Sequence, residues 1–391
     1  MAPITATCSN VEVGPDFELD DAQQAIVHLA GDVLSDNTDT SERLWKGLGQ
    51  AGLLGLAVPA RLGGAGLGAL ATGLVLTEIG RHAAAVPALP TLALGVLPVA
   101  RWGTAEQQRD LLTGVLEGRI LTAALAEPGE PMPAAPRTAA TAGWTITGTK
   151  TGVLDADRAH RVLVPVRRPD GRAAVALVDP GSPGVSLRRT PSSTRMMQPG
   201  ASEPARAEAG TAAAGEGGSA EFVMRLDGVA GEPLGDDPGN GCLTDLYRFA
   251  VAGICALGDG ALAGALRMTT DHVRDRHQFG RPLATFQAVA QQIADVYITA
   301  RTLHLIARAA SWGLDARDPA RADDDLWTAA YWLSSEALPA MRTCHHLHGG
   351  LGLAADYPLH RHSSLARDLV RHLGGAEHCL DQLGGRACSS T

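Results

Sequence analysis

The sequence predicts an α+β fold in three successive parts: an N-terminal α-helical domain, a middle β-barrel or sandwich domain, and a C-terminal four-helix bundle. Three observations predict it. Apolar residues recur at helical spacing before about residue 118 and again from Gly241 onward. Between Ile120 and Leu234 the period drops to two in short runs. The C-terminal apolar stripes are long and separated by short turns, which is the pattern of a bundle. The implied domains are 1–118, 119–235 and 236–391.

In the first part, Ala22, Ile26, Leu29 and Val33 fall on one helical face. A second stretch from Leu44 to Leu54 runs into Gly55-Leu56-Ala57-Val58-Pro59 and the loop Gly63-Gly64-Ala65-Gly66. That loop is no phosphate-binding Walker loop, since no Gly-Lys-Ser/Thr follows. Leu70 to Ile79 and Leu89 to Ala100 are further apolar stretches, and Thr104 is placed to cap a helix starting near Ala105.

The middle part alternates. Trp144-Thr145-Ile146-Thr147-Gly148 is one strand. Val162 to Val166 and Ala174 to Val178 flank the turn Pro169-Asp170-Gly171. Gly184 to Leu187 and Glu221 to Leu226 complete the set. Residues 191–220 are rich in Ala, Gly, Ser, Glu and Pro without a period, so an exposed, mobile loop is expected there. In the last part, Phe286, Val289, Ile293, Val296, Ala300 and Leu303 mark one long helix, and Leu326, Ala330, Leu333 and Ala337 another.

Composition bounds the function. Across 391 residues the chain is 45% hydrophobic and 19% charged, which is ordinary for a globular protein with a core. A net charge of -9 argues against nucleic acid as the main partner. The six cysteines form no C-x-x-C pair, which fits a reducing cytoplasm. Residues 1–13 lack the pattern of a secretory leader. The most apolar stretch, 249–268, is interrupted by Asp259 and Arg267, so no membrane span is expected.

The most informative motif is Arg276-His277-Gln278-Phe279-Gly280-Arg281-Pro282, followed at once by a long amphipathic helical pattern. It puts a permanent cation, an amide and an aromatic ring at a helix–turn–helix junction. A guanidinium suits a pyrophosphate, the amide a polar edge, and the ring packing. The plain alternative is a surface turn between two bundle helices. His345, His346, His348, His360 and His362 form a loose cluster; imidazole clusters can bind a metal, but no metal site is expected from this spacing.

These motifs in this order resemble the acyl-CoA dehydrogenase family along nearly the full chain. Ala57-Val58-Pro59 with Gly63-Gly64-Ala65-Gly66, Glu127-Pro128-Gly129, Thr147-Gly148-Thr149-Lys150 and Leu226-Asp227-Gly228-Val229 carry it. So do the Arg276 motif and His348-Gly349-Gly350-Leu351-Gly352 with Asp356-Tyr357-Pro358. The resemblance implies a flavoprotein that binds flavin adenine dinucleotide (FAD) and removes two hydrogens across the α,β bond of an acyl-CoA. A carboxylate takes the α-proton, and the flavin takes the β-hydride. It also implies that FAD lies at a subunit interface. Arg276, Gln278, Phe279, His346, Gly349 and Gly350 of one subunit would then hold its adenine–pyrophosphate half.

The departures from the family pattern are equally informative. One branch carries its catalytic Glu where this chain has Leu373, and another where it has Tyr247. Leucine cannot take a proton, and an ordinary tyrosine is a poor base at neutral pH. Ala126 stands where a hydroxyl residue is usual, and Thr151-Gly152-Val153-Leu154 lacks the usual aromatic residue and Thr. Glu127 reads as a structural acid at the domain junction.

No catalytic residue is therefore expected in this chain. The expected function is acyl-CoA dehydrogenation as the FAD-gripping, base-lacking subunit of a hetero-oligomer. The partners would be a second acyl-CoA dehydrogenase-like subunit with the catalytic Glu, an acyl-CoA substrate, fatty or steroid, and an acceptor such as an electron-transfer flavoprotein. Two alternatives stay open: a stand-alone flavoprotein with other chemistry, such as monooxygenation, and a flavin-free scaffold subunit.

Overall fold

The computed structural model describes residues 18–35, 40–190, 220–236, 240–316, 319–354 and 356–389. Nearly all of the loop expected at 191–220 lies outside them. Helix α1 (Asp21–Leu34) starts at a capping box, in which Asp20 accepts from the Gln23 amide and the Gln23 side chain returns to Asp20. Thr40 caps α2 (Ser41–Gln50). A fully buried π-helical segment (Leu89–Val96) follows α3 (Ala69–Arg81) and runs into α4 (Leu97–Trp102). Thr104 caps α5 (Ala105–Leu116) as its sequence predicts, with Gln107 completing a second capping box.

Eight strands form one hydrogen-bonded sheet. They are β1 (Ile120–Ala123), β2 (Ala139–Ala140), β3 (Thr145–Leu154), β4 (Ala159–Arg167), β5 (Ala173–Val178), β6 (Val185–Thr190), β7 (Glu221–Ala230) and β8 (Glu232–Pro233). The order is β6-β7-β3-β2-β4-β5-β8, with β1 parallel to β4. Alternating residues such as Ile146, Val162, Val164, Phe222 and Met224 give the sheet its own core. Between Lys150 and Val153 the β3–β7 register slips. This bulge turns Gly152, at φ 66°, toward the neighbouring helices.

The C-terminal part begins with α6 (Gly241–Asp275). By length and apolarity α6 could cross a membrane, but 89% of its most apolar window is buried inside the chain. Its apolar surface is core. Gly260 lets it touch α3 backbone to backbone: a Cβ there would stand 1.9 Å from the Thr77 carbonyl. Then come α7 (Gln287–Ala316), α8 (Pro319–His348), α9 (Leu359–His372) and α10 (Gly375–Ser389). The C-terminal part thus holds five helices among the described residues, one more than the simplest reading. Gly374 and Gly375, both with positive φ, end α9 and fold α10 back onto α8.

Candidate functional site

Arg276 lies where α6 ends. Its amide donates to the His272 carbonyl at 2.8 Å, and its own carbonyl accepts from Leu283 at 2.9 Å. Between those anchors the chain forms a β-hairpin and not a plain helix–turn–helix connector: β9 (His277–Gln278) pairs antiparallel with β10 (Arg281–Pro282). Phe279 and Gly280 are the two turn residues, at φ 54° and 78°. Positive φ at both centres is the turn that suits the twist of paired strands, and glycine adopts it freely. Phenylalanine does not. Yet Phe279 is 90% exposed, its ring edge-on to that of Phe286 with centroids 6.1 Å apart. Arg281 lies 4.1 Å over the Phe286 ring and braces the hairpin base. The side chains of Arg276 and Gln278 are exposed and make no hydrogen bond or ion pair among the described residues. A strained aromatic tip beside an unpartnered guanidinium and amide is built to meet something outside this fold.

The second predicted group sits at the end of α8. His346 is exposed, and Gly349 and Gly350 follow in a short 3₁₀ turn (Gly349–Leu353). Gly349 has φ 59°, and a Cβ on either glycine would meet no atom within 4 Å. Packing within the chain therefore gives Gly350 no reason to be glycine, whereas close approach of a ligand or neighbour does. The ends of α6 and α8 meet through stacked rings, His272 on His348 at 4.5 Å, with Tyr357 at 5.2 Å from His348. The structure thus brings all six predicted cofactor-binding residues to one end of the helical part. The other histidines brace the fold: His345 faces the Gly352 carbonyl, His360 that of Tyr357, and His362 that of Arg81.

The two expected base positions lie elsewhere. Leu373 is fully buried. Tyr247 donates its hydroxyl to the Pro133 carbonyl at 2.8 Å. Burial, with Glu127 and Glu130 nearby, pushes its pKa further up, so it cannot act as a base. Asp245 is also committed, accepting from Trp102 at 2.9 Å, Arg101 at 2.9 Å and Arg248 at 3.1 Å. Ala126 and Gly152 line one small cavity with Leu89, Leu125, Leu154 and Ile254. It leaves about 30 Å³ of free space, room for about one water. His372 closes one side, 3.4 Å from where a Gly152 Cβ would stand. Burial, then Arg371, lowers its pKa to about 4. Sequence reasoning missed His372, whose only signal is that it precedes Leu373.

Glu127 is the structural acid its sequence suggests. One carboxylate oxygen accepts from the Thr138 amide at 2.9 Å, its hydroxyl at 2.7 Å and Lys150 Nζ at 2.9 Å. Burial alone would raise its pKa, but the Thr138 bonds and Lys150 outweigh it and bring the value down to about 2. The arrangement can therefore hold an anionic ligand at the α6–α8 end, while the cavity side offers no carboxylate and little free space.

Comparison with known proteins finds two family models and full-length relatives that match the chain. Residues 22–119 match the family model for the acyl-CoA dehydrogenase N-terminal domain, and residues 245–387 the one for the C-terminal domain. The chain is 42% identical over 376 residues to acyl-CoA dehydrogenase FadE28 of Mycobacterium tuberculosis, covering 96% of this chain and 100% of that protein. FadE27 of the same organism is 34% identical over 350 residues, 87% of each chain. Among solved structures, a variant of the Tcur3481–Tcur3483 steroid ACAD superposes with a TM-score of 0.82 at 34% identity, covering 94% of this chain and 98% of that one. The ChsE4–ChsE5 complex of Mycobacterium tuberculosis gives 0.82 at 31%, covering 96% and 99%. Both helical parts match at the level of the family, and the relatives are similar from end to end, so this chain belongs to the acyl-CoA dehydrogenase family, oxidoreductases that act on acyl-CoA.

Proposed function

We propose that this chain is the FAD-gripping, base-lacking subunit of a hetero-oligomeric acyl-CoA dehydrogenase. The observation that carries this is the asymmetry between its two ends. The Arg276 hairpin and the Gly349–Gly350 turn present unpartnered polar groups and open space, while the ring-side cavity is small and lined by no carboxylate. Arg276 would hold the pyrophosphate with its fork, Gln278 a polar edge of the nucleotide, and Phe279 would pack beside them. Gly349 and Gly350 would let the backbone approach, with His346 alongside. FAD supplies the redox step, accepting the β-hydride of the acyl-CoA. The α-proton goes to a Glu on the second acyl-CoA dehydrogenase-like subunit. Two of the structural relatives are two-component assemblies by name, and one is a steroid ACAD. That favours a steroid or similarly bulky acyl-CoA as substrate, with an electron-transfer flavoprotein or similar carrier as acceptor.

The test is to purify the chain alone and with the dehydrogenase-like protein encoded beside it. Tight FAD binding and acyl-CoA oxidation should appear only in the complex. Full FAD content and oxidation by the chain alone would overturn the proposal. Oxygen-dependent consumption of reduced flavin would replace it with the monooxygenase reading, and a colourless complex with the scaffold reading.

A further inference from the structure

Tyr247 stands where one branch of the family carries its base, yet its hydroxyl has a definite task. Residues 128–137 leave the sheet after Glu127 and return at Thr138. Glu127 closes the base of this strap: it exchanges backbone hydrogen bonds with Glu130 at 2.8 and 2.9 Å, and its carboxylate accepts from the Arg137 amide at 2.8 Å. Four prolines, at 128, 131, 133 and 136, stiffen the span. Its crest reaches two points. Pro131 forms a wall of the 30 Å³ cavity and packs so close to Gly374 that a Cβ there would lie 2.8 Å from the Pro131 ring. Pro133 is buried and accepts the Tyr247 hydroxyl at 2.8 Å. That O–H ties the crest to α6. A glutamate at this position would present only acceptor oxygens to the Pro133 carbonyl when ionised, and the two would repel.

We propose that Tyr247 is a latch: its hydroxyl holds strap 128–137 shut over this chain's own ring-side cavity, so that neither a flavin ring nor an acyl chain enters, and chemistry in the complex is confined to the partner's half-site. This rests on the reading of the chain as the base-lacking subunit and adds a cause for it. Changing one residue removes the base and closes the door.

The experiment uses the complex with its partner subunit and the conservative variant Tyr247→Phe, which keeps the ring and loses the hydroxyl. Hydrogen exchange of the strap amides Gly129, Glu130, Met132, Ala134 and Ala135 should quicken about five-fold, the size expected for losing one hydrogen bond. Amides of α1 should be unchanged. Access to the cavity is read separately, by the rate at which a methanethiosulfonate reagent labels a thiol introduced by Ala126→Cys. Labelling should be slow with Tyr247 and about as many times faster with Tyr247→Phe. Strap exchange and labelling rates that do not change in Tyr247→Phe would overturn the latch. Flavin content at the Arg276 surface is measured in the same samples. Its loss in the unmodified complex would count against the FAD-gripping role, not against the latch.

Discussion

Replacing Glu127 by glutamine should reveal how the sheet is tied to the strap and to Lys150. In the folded chain Lys150 is fully buried, and its Nζ donates to Glu127 at 2.9 Å. Burial lowers its pKa to about 8 even with that partner present. Without the carboxylate the ammonium loses its two largest supports and is left a stranded buried charge unless it gives up its proton. The cost has two sources. Glu127 is held at a pKa of about 2 instead of 4.5, and that shift corresponds to roughly 3 kcal/mol. Leaving a buried charge uncompensated typically costs about 3–5 kcal/mol. A destabilisation of about 3–5 kcal/mol is therefore expected for Glu127→Gln. Lys150→Met, which strands the carboxylate instead, should cost a similar amount. The double variant should be less damaged than the sum of the two by at least about 2 kcal/mol, because neither charge remains to be stranded. Denaturant unfolding at pH 7 measures all four proteins. Additivity within about 0.5 kcal/mol would refute the argument that the two side chains act as a unit.

Three further outcomes follow from the geometry. His372 is half-buried, and desolvation, then Arg371, lowers its pKa to about 4, so the unfolded chain binds the extra proton first as pH falls. Its contribution is present above about 6.5 and fades between 6.5 and 4; Glu127 adds a second acid loss between 4.5 and 2. Unfolding free energy measured against pH should fall across the first window, less steeply in His372→Leu, and equal slopes would contradict this. Asp315 caps α3 from another helix, accepting from the Ala69 and Leu70 amides at 2.8 and 2.9 Å. Asp315→Ala should cost about 1–2 kcal/mol. Gly68→Ala, whose Cβ would fall 2.0 Å from the Asp315 carboxylate, should cost less in the Asp315→Ala background than alone, as read by thermal melts. Phe279→Gly should stabilise the isolated chain by about 1 kcal/mol by releasing a positive φ, yet lower the flavin content of the complex. If it gains stability without losing flavin, the strain at the tip has no functional use.

The parts legible in the sequence are those where local chemistry and burial agree. The Thr104 cap, the Pro169-Asp170-Gly171 turn and the apolar strand Val162 to Val166 each repeat a local rule, and each appears in the fold. Glu127 reads as a structural acid in the sequence, but its pairing with Lys150 carries no local signal, because the two residues stand 23 apart in the chain. The hairpin at Arg276 is not legible in the sequence, since phenylalanine at a left-handed turn position goes against propensity. Long-range contacts carried no sequence signal. Nothing in the chain around Tyr247 announces Pro133, and nothing near Gly68 announces Asp315. The tenth helix was obscured because the Gly374-Gly375 break is short and the pattern beyond it weak.

The central claim, that this chain grips FAD for a partner, is tested most directly by the flavin content of the purified complex after dilution, with and without Arg276. The guanidinium is exposed and has no partner within the described chain, so its substitution should leave folding intact. Charge-assisted hydrogen bonds contribute about 1.5–3 kcal/mol each, so Arg276→Ala should weaken FAD retention roughly ten- to a hundred-fold. Arg276→Lys, a point charge in place of a planar fork, should fall between. Full FAD occupancy in Arg276→Ala under dilution would make the hairpin a helix connector only, and the account of this chain as the FAD-gripping subunit would be contradicted.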